Sequence, residues 1–248
     1  HSVQHLGYGK ASPLTIEQEY ADSRAIIERE IPGSQCLTLA YPNGYQPPND
    51  SAVAARFYLA CRGVKGVPNP ADQTDYRNVN SVSGAAGFLE PAKHWASFEG
   101  MLDPAHRGKF RAWYSAHFHG LTDELKAHIA AVLARLKEHE DDTWVGLFRE
   151  VAQYAQERDT ATVTVEVSEP NRLRFVLTDR MDDTSFDQPL TVKVRLPAGW
   201  TGAVAQQNGQ PAKLTMVRHE DAAFALVHAV PDRGPVELSP ASLEEKIP

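Results

Sequence analysis

The sequence lacks the features that several classes of protein require. Its 248 residues contain no apolar run near the roughly 18 residues of a membrane-spanning helix, so we predict no membrane span. They also contain no block of lysine and arginine, since 25 basic side chains are outnumbered by 32 acidic ones and the net charge is −7. A chain of this charge is a poor partner for a phosphate backbone, and we expect no nucleic-acid partner.

Cysteine is scarce, and the chain has only Cys36 and Cys61. Two cysteines cannot supply a zinc-finger ligand set or a disulfide-dense scaffold. They lie on consecutive predicted strands, where they form either one disulfide or two buried thiols. The sequence also begins at His1 without an initiator methionine or a signal peptide. We therefore expect that a preceding segment has been removed or lies outside this chain.

The first part of the chain alternates between helix and strand patterns. A capping box at Thr15 begins a helix that Pro32 ends, and the apolar run 36–41 predicts a buried strand. An order of this kind favours parallel strands joined by helices. The other predicted helices are a short one near Asp50, 91–101, one that begins at Thr122, and 147–158, and the other predicted strands are 58–62, 109–118 and 144–145.

The pattern changes near Asp159. Beyond this point apolar residues alternate with polar ones, as at Leu173 and Leu177, and turn signals recur about every ten residues. This predicts an antiparallel β module. We therefore divide the chain into residues 1–158 and 159–248.

Three clusters of residues are candidates for a functional site. His1 and His5 are four residues apart, a spacing that reaches one metal ion, although two surface histidines are the alternative. Residues 41–44 form either an ordinary turn or a turn that presents N–H groups at the carboxyl end of a strand. His117 and His119 share one face of a predicted strand, either as site residues or as structural histidines.

The order of these clusters resembles the polysaccharide deacetylases, which are carbohydrate esterase family four with the NodB-homology fold. H-S-V-Q-H at 1–5 resembles the metal motif of that family, and A-Y-P-N-G at 40–44 resembles its F-A-Y-P-x-G turn. H-F-H-G-L at 117–121 resembles the end of the domain in one bacterial branch. That branch also carries a β module with Q-P-L-T and P-x-G-W segments, here at 188–191 and 197–200.

The resemblance covers nearly the whole chain and implies both a fold and an activity. The expected fold is α/β, a distorted (β/α) barrel that is incomplete at its N-terminus, with a small C-terminal antiparallel β-sandwich-like module. The expected activity is that of a metal-dependent hydrolase that removes acetyl groups from an acetylated carbohydrate. An enzyme of this kind is expected to be secreted, periplasmic or associated with the cell envelope.

The resemblance also assigns roles to individual residues. His1 and His5 would hold zinc or another divalent metal, the N–H of Tyr41 would stabilise the oxyanion, and His119 would be the general acid. Asp141 is the candidate carboxylate that raises the pKa of His119. Arg62 would replace an arginine that many family members place before the turn. The residues predicted for the substrate site are Pro42, Gly44 and His117, the last of which is also the competing choice for the acid.

One departure from the family pattern concerns the reaction itself. The family's T-F-D-D-G-like strand end carries the general base and the third metal ligand, and it would lie before His1. An N-terminal segment or a second chain would have to supply both aspartates. The alternatives are an inactive fragment, a non-catalytic carbohydrate-binding relative, or a copper protein that binds the metal through the amino group and ring of His1. The sequence does not identify the sugar.

Overall fold

A computed structural model describes residues 1–6, 12–44, 48–83 and 91–241 of the chain. Contacts between residues divide the chain into two units, His1–Ala152 and Gln153–Pro248. Within the described residues there are five α-helices and one short 3-10 helix, Pro42–Gly44. None of these helices is both long enough and apolar enough to cross a membrane. The α-helices are α1 (Pro13–Glu30), α2 (Pro48–Ala54), α3 (Pro91–Leu102), α4 (Asp123–Lys137) and α5 (Phe148–Thr160).

Side-chain caps fix where two of the helices begin. The hydroxyl of Thr122 accepts a hydrogen bond from the N–H of Leu125 at 3.2 Å, so Thr122 is the N-cap of α4, as the sequence predicts. The predicted capping box at Thr15 is wrong. Helix α1 begins earlier because Ser12 is its N-cap and accepts from the N–H of Thr15 at 3.3 Å. The proline that follows Ser12 suits the first turn, where its missing N–H is not needed.

The first unit contains short parallel strands. They are β1 (Thr38–Ala40), β2 (Ala60–Arg62), β3 (Val82–Ser83) and β4 (Ala116–His117). β1 pairs with β2, and β3 pairs with β4. A parallel bridge between Arg62 and Val79 connects β2 to the segment that leads into β3. The carboxyl ends of parallel neighbours lie at the same edge, so this connection orders the ends of all four strands.

This arrangement contradicts the predicted (β/α) barrel. Within the described residues, the parallel strands form two sheets of two strands each, whereas the larger sheets have three and five strands and are antiparallel. A barrel requires a closed ring of parallel strands. The alternation of helix and strand patterns predicts the type of each element, but it does not show how many strands pair.

Two predicted strands of the first unit are also wrong in extent. The prediction 109–118 becomes a strand only at Ala116 and His117, because the preceding residues form turns in which the N–H of Phe110 donates to the carbonyl of His106. The predicted strand 144–145 is absent, and both of its side chains are exposed. The apolar residues of these two stretches therefore led to the prediction of more strand than this unit contains.

The two cysteines are free thiols in the structure. Cys61 is buried in β2, and its partner in the register is Leu39. Cys36 is half-buried and lies before β1 begins. The two cysteines therefore do not face each other across the strand pair, as a disulfide would require. Burial raises the pKa of the Cys61 thiol to about 11, which makes this thiol unreactive at neutral pH.

The second unit is built from antiparallel strands in two sheets. The strands are β5 (Thr162–Glu169), β6 (Arg172–Thr178), β7 (Leu190–Arg195), β8 (Ala203–Gln207), β9 (Gln210–Ala212), β10 (Leu214–His219), β11 (Ala222–Ala229) and β12 (Val236–Pro240). One sheet has the order β5-β6-β12-β8-β9 and the other the order β10-β11-β7. The register of β5 shifts between Val165 and Val167, which is a β-bulge, and β9 contains Pro211.

A single apolar core lies between these two sheets. Its buried side chains are Leu173, Phe175, Leu177, Leu190, Leu196, Trp200, Ala205, Ala225, Val227, Ala229, Val236 and Leu238. In β6 every second residue is buried, as the period-two pattern of the sequence predicts. The indole N–H of Trp200, which follows β7, donates to the carbonyl of Pro170 at 2.6 Å, and Pro170 lies in the turn between β5 and β6. This hydrogen bond joins the connection between β7 and β8 to the turn between β5 and β6.

We expect replacement of Trp200 by phenylalanine to destabilise the chain by about 1 kcal/mol or more, because the hydrogen bond to the carbonyl of Pro170 is lost. Urea unfolding measures the change in the free energy of unfolding. The matched control is Trp144→Phe, since the Trp144 side chain is 53% exposed and the change should stay within about 0.5 kcal/mol. Equal effects of the two substitutions would contradict the role assigned to Trp200.

A buried carboxyl group also lies in the second unit. Glu157, on α5, is only 1% exposed, and its two carboxylate oxygens accept from the N–H of Gln188 at 3.2 Å each. Burial raises the pKa of Glu157 to about 7. The hydrogen bond from Gln188 lowers this pKa, and the charges of Asp179, Asp187 and Asp183 raise it further. At neutral pH a substantial fraction of this carboxyl group therefore carries a proton.

This raised pKa predicts that stability falls as the pH rises. The folded state holds the Glu157 proton more tightly than the unfolded state, so the contribution is complete below about pH 4.5 and is lost as the pH approaches about 7. A shift of this size corresponds to about 3 kcal/mol. In Glu157→Gln the amide oxygen still accepts from Gln188 and no charge is buried. We expect this variant to be more stable than the wild type at pH 8 and similar at pH 5, by urea unfolding; no difference at pH 8 would contradict it.

Candidate functional site

Arg62 is placed by the backbone of β2. Its carbonyl accepts from the N–H of Tyr41 at 3.1 Å on one side, and the N–H of the next residue, Gly63, donates to the carbonyl of Val79 at 2.8 Å on the other. The guanidinium is half-buried and donates to the carbonyl of Gly63 at 3.1 Å. Burial lowers the pKa of this guanidinium, which nevertheless stays positively charged at physiological pH.

His117 lies at the end of β4 and is oriented by two serines. Its Nδ1 is 2.9 Å from the hydroxyl oxygen of Ser81, and that hydroxyl donates to the carbonyl of Ser115 at 3.2 Å. The hydrogen bond to Ser81 thus engages Nδ1, and within the described residues Nε2 of His117 makes no hydrogen bond.

Arg62, His117 and His119 form a group that we call the Arg62 cluster. The rings of the two histidines are 6.0 Å apart and nearly perpendicular. Burial, then the charge of Arg62 and then that of His119 lower the pKa of His117 below its usual value of 6.5. His117 is therefore neutral at neutral pH and can accept a proton.

His1 and His5 lie close to each other and near this cluster. Their ring centroids are 5.0 Å apart, and Nδ1 of His1 is hydrogen-bonded to the carbonyl of Ala40, at the end of β1. The hydroxyl of Ser23, on α1, donates to the carbonyl of His1 at 2.5 Å. These contacts hold His1 at the carboxyl end of β1, whose Ala40 is the register partner of Arg62 in β2.

The predicted zinc site is not completed by the described residues. No group of three or more histidine, cysteine, aspartate or glutamate side chains in that part of the chain can hold a metal ion. The ring of His1 is also hydrogen-bonded through Nδ1, which leaves Nε2 as its free ligand atom. His1 and His5 alone do not fit a catalytic zinc ion, which takes three protein ligands.

The predicted turn residues, Tyr41 to Gly44, form a tight turn directly after β1. Tyr41 is fully buried, its hydroxyl donates to the carbonyl of Arg77 at 2.7 Å, and its N–H already donates to Arg62. In this structure that N–H is therefore not a free donor for an oxyanion. Pro42 and Gly44 are also buried. Gly44 has a φ of +73°, and a Cβ there would lie 2.2 Å from the side chain of Val64, so only glycine fits.

Asp141 is not brought to the other candidate residues. It is exposed in the turn that follows α4, and within the described chain no ion pair or hydrogen bond joins it to His119. The structure instead provides Ser81 and Ser115 as the groups that orient a histidine. Sequence reasoning missed both, although Ser115 lies two residues before His117 and therefore on the same strand face.

Comparison with known proteins gives one informative match. A gellan lyase from a Bacillus species is 36% identical to this chain over an alignment of 263 positions, which covers 97% of this chain. The chain spans about a tenth of the length of this curated relative. No protein-family model matches the chain.

This match overturns the resemblance to the polysaccharide deacetylases. The relative is named for a lyase, so the predicted zinc-dependent hydrolase that removes acetyl groups is wrong, and so is the assignment to carbohydrate esterase family four. The inactive or non-catalytic relative that was the alternative gains no support from the match. The motifs that suggested the deacetylases are short, and most of their residues are accounted for by the strand ends and the tight turn described above.

We expect replacement of Arg62 by glutamine to raise the pKa of His117, because the substitution removes a positive charge that disfavours the imidazolium. The pKa is measured from the pH dependence of the His117 ring signals in nuclear magnetic resonance spectra. The pKa of His228, which lies in the second unit and is lowered by burial and by Lys213, should not move. An unchanged pKa of His117 would show that the two side chains do not interact.

Proposed function

We propose that this chain acts on an anionic polysaccharide by the elimination chemistry of a lyase, with the Arg62 cluster as the reacting site. The observation that carries the proposal is the 36% identity to a gellan lyase over 97% of the chain. The geometry supports it because the cluster combines a fixed cation, a neutral imidazole and a second imidazole. Export to the cell envelope or beyond stays a prediction that suits a polymeric substrate.

Elimination sets three requirements for such a site. A base removes a proton from the carbon next to a carboxylate, and the electron pair of that C–H bond forms a C=C bond. The bond between the neighbouring carbon and the glycosidic oxygen breaks, and the departing oxygen takes a proton. The site therefore needs a cation for the carboxylate, a base and an acid. In a polysaccharide the substrate unit is a uronate, which is why we propose an anionic polymer.

Arg62 meets the first requirement. A guanidinium binds a carboxylate through two parallel hydrogen bonds, and its charge stabilises the negative charge that develops as the proton leaves. Arg62 is half-buried, which strengthens this interaction relative to one in water. Within the described residues no carboxylate forms an ion pair with Arg62, so its charge is available to a ligand.

His117 and His119 meet the other two requirements. His117 has a lowered pKa and a free Nε2, so it is the base. His119, with its ring 6.0 Å from that of His117, is placed to protonate the departing oxygen. Ser81 orients the ring of His117 and is a positioning residue. Tyr41 supports Arg62 through the backbone and takes no part in proton transfer.

The test is incubation of the chain with uronate-containing polymers, gellan among them, and with a neutral glucan. We expect shorter products that absorb ultraviolet light through the new C=C bond conjugated to the carboxylate, from the uronate polymers alone. His117→Gln should lower kcat by about 10²- to 10⁴-fold, the usual contribution of a general base. Arg62→Lys should reduce kcat/KM, because a lysine cannot make the paired hydrogen bonds.

The control is His128→Gln, which removes a half-buried histidine on α4, 4.0 Å from Glu124, and should leave turnover unchanged. New chain ends without the ultraviolet absorbance would mean hydrolysis and would overturn the proposal. Binding of the polymer without any shortening would overturn it as well. Loss of activity in the His128→Gln control would show that the assay reports stability instead of chemistry.

A further inference from the structure

A groove of about 920 Å³ lies on the second unit, away from the Arg62 cluster in the sequence. Its walls are the hairpin turn between β8 and β9, the segment that leads into β10, and the turn that follows β11. Its volume is in the upper part of the range of ligand pockets, which is about 300–1,000 Å³. It is large enough for several sugar units.

Hydrogen bonds hold the walls of the groove in place. The side-chain amide of Gln207 both donates to the carbonyl of Val230, at 2.6 Å, and accepts from its N–H, at 3.0 Å. The N–H of Asn208 donates to the carbonyl of Pro235 at 2.8 Å. Gly234 has a φ of +90°, and a Cβ there would lie 3.1 Å from the side chain of Asn208. The groove is thus formed before a ligand arrives, and this lowers the entropic cost of binding.

Positive charge dominates this groove, although the chain as a whole is acidic. The basic side chains on its walls are Lys213, His228 and Arg233, and the acidic one is Asp232. The carboxylate of Asp232 already accepts from the N–H of Asp179 at 3.1 Å. Within the described residues no carboxylate forms an ion pair with Lys213 or Arg233.

Lys213 and His228 are close neighbours. The N–H of His228 donates to the carbonyl of Lys213 at 2.9 Å, and the charge of Lys213 adds to burial in lowering the pKa of His228. At neutral pH His228 is therefore uncharged, and an anion bound beside Lys213 would stabilise its protonated form. The rest of the wall suits a sugar, since Pro189 and Pro211 present apolar faces and Gln210 presents an amide.

We infer that this groove binds an acidic oligosaccharide, with carboxylates of the sugar held by Lys213 and Arg233. The charge and the shape of the groove indicate an anion of this length, and the choice of a sugar rests on the proposed function. The site is separate from the Arg62 cluster, so it would hold a length of polymer without cleaving it. Trp200 takes no part, because its indole is buried in the core.

The test is a titration of a short oligouronate into Arg62→Gln, in which the first site is disabled. We expect binding by calorimetry, a shift of the His228 ring signals in nuclear magnetic resonance spectra, and weaker binding at high salt. The double variant Lys213→Gln, Arg233→Gln in this background should bind about tenfold more weakly or worse. Arg218→Gln removes one positive charge at the far end of β10 and should not change the affinity.

Several results would overturn the inference. These are equal binding of an uncharged oligosaccharide of the same length, an unmoved His228 signal, or an equal loss of affinity in Arg218→Gln. Failure of the proposed function would be recognised separately, from elimination assays on the wild type. A chain that binds the oligouronate in the groove and never forms the C=C bond would disprove the lyase and leave the groove assigned. A chain that forms the C=C bond but leaves the His228 ring signals unmoved would support the lyase and disprove the role of the groove.

Discussion

The candidate site depends on the backbone of β2, which is hydrogen-bonded along both edges. Cys61 accepts from Val79 at 2.8 Å and Arg62 accepts from Tyr41 at 3.1 Å, so the strand cannot slide without breaking bonds on two sides. A shift of β2 by one residue would put the guanidinium of Arg62 at the position where the thiol of Cys61 is buried. The position of the Arg62 guanidinium beside the histidines is therefore fixed by main-chain geometry, and His117 owes part of its lowered pKa to that position.

Electrostatics separates the two proposed sites from the remainder of the protein. The net charge is −7, yet the Arg62 cluster and the groove of the second unit each present cationic groups that form no ion pair with a described carboxylate. An acidic polymer is repelled by most of such a chain and attracted at these two places. Salt weakens both effects, because the Debye length falls to about 8 Å at physiological ionic strength. A substrate with alternating charged and neutral units would be held at charged units only.

Local patterns in the sequence predicted elements, and only the structure showed how they pair. Thr122 was found as a cap because a cap is formed within one turn, and the strand 173–177 was found because alternate burial is a property of a single strand. The stretch 109–118 was misjudged because turns with aromatic residues look like strands. His117 could be proposed from its neighbours in sequence. Ser81 could not, because it is 36 residues away and has no motif of its own. The assignment to a family failed for the same reason, since it rested on short motifs.

Both outer strands of the five-stranded sheet are unsuited to pairing with another chain. β5 changes register between Val165 and Val167, which interrupts the regular ladder that an added strand would need. β9 is three residues long and contains Pro211, which has no N–H to donate. Open sheet edges are a common route to aggregation, and natural proteins block them with such devices. Neighbouring copies of this unit, crowded along one polymer, would therefore stay separate and would not fuse into a continuous sheet.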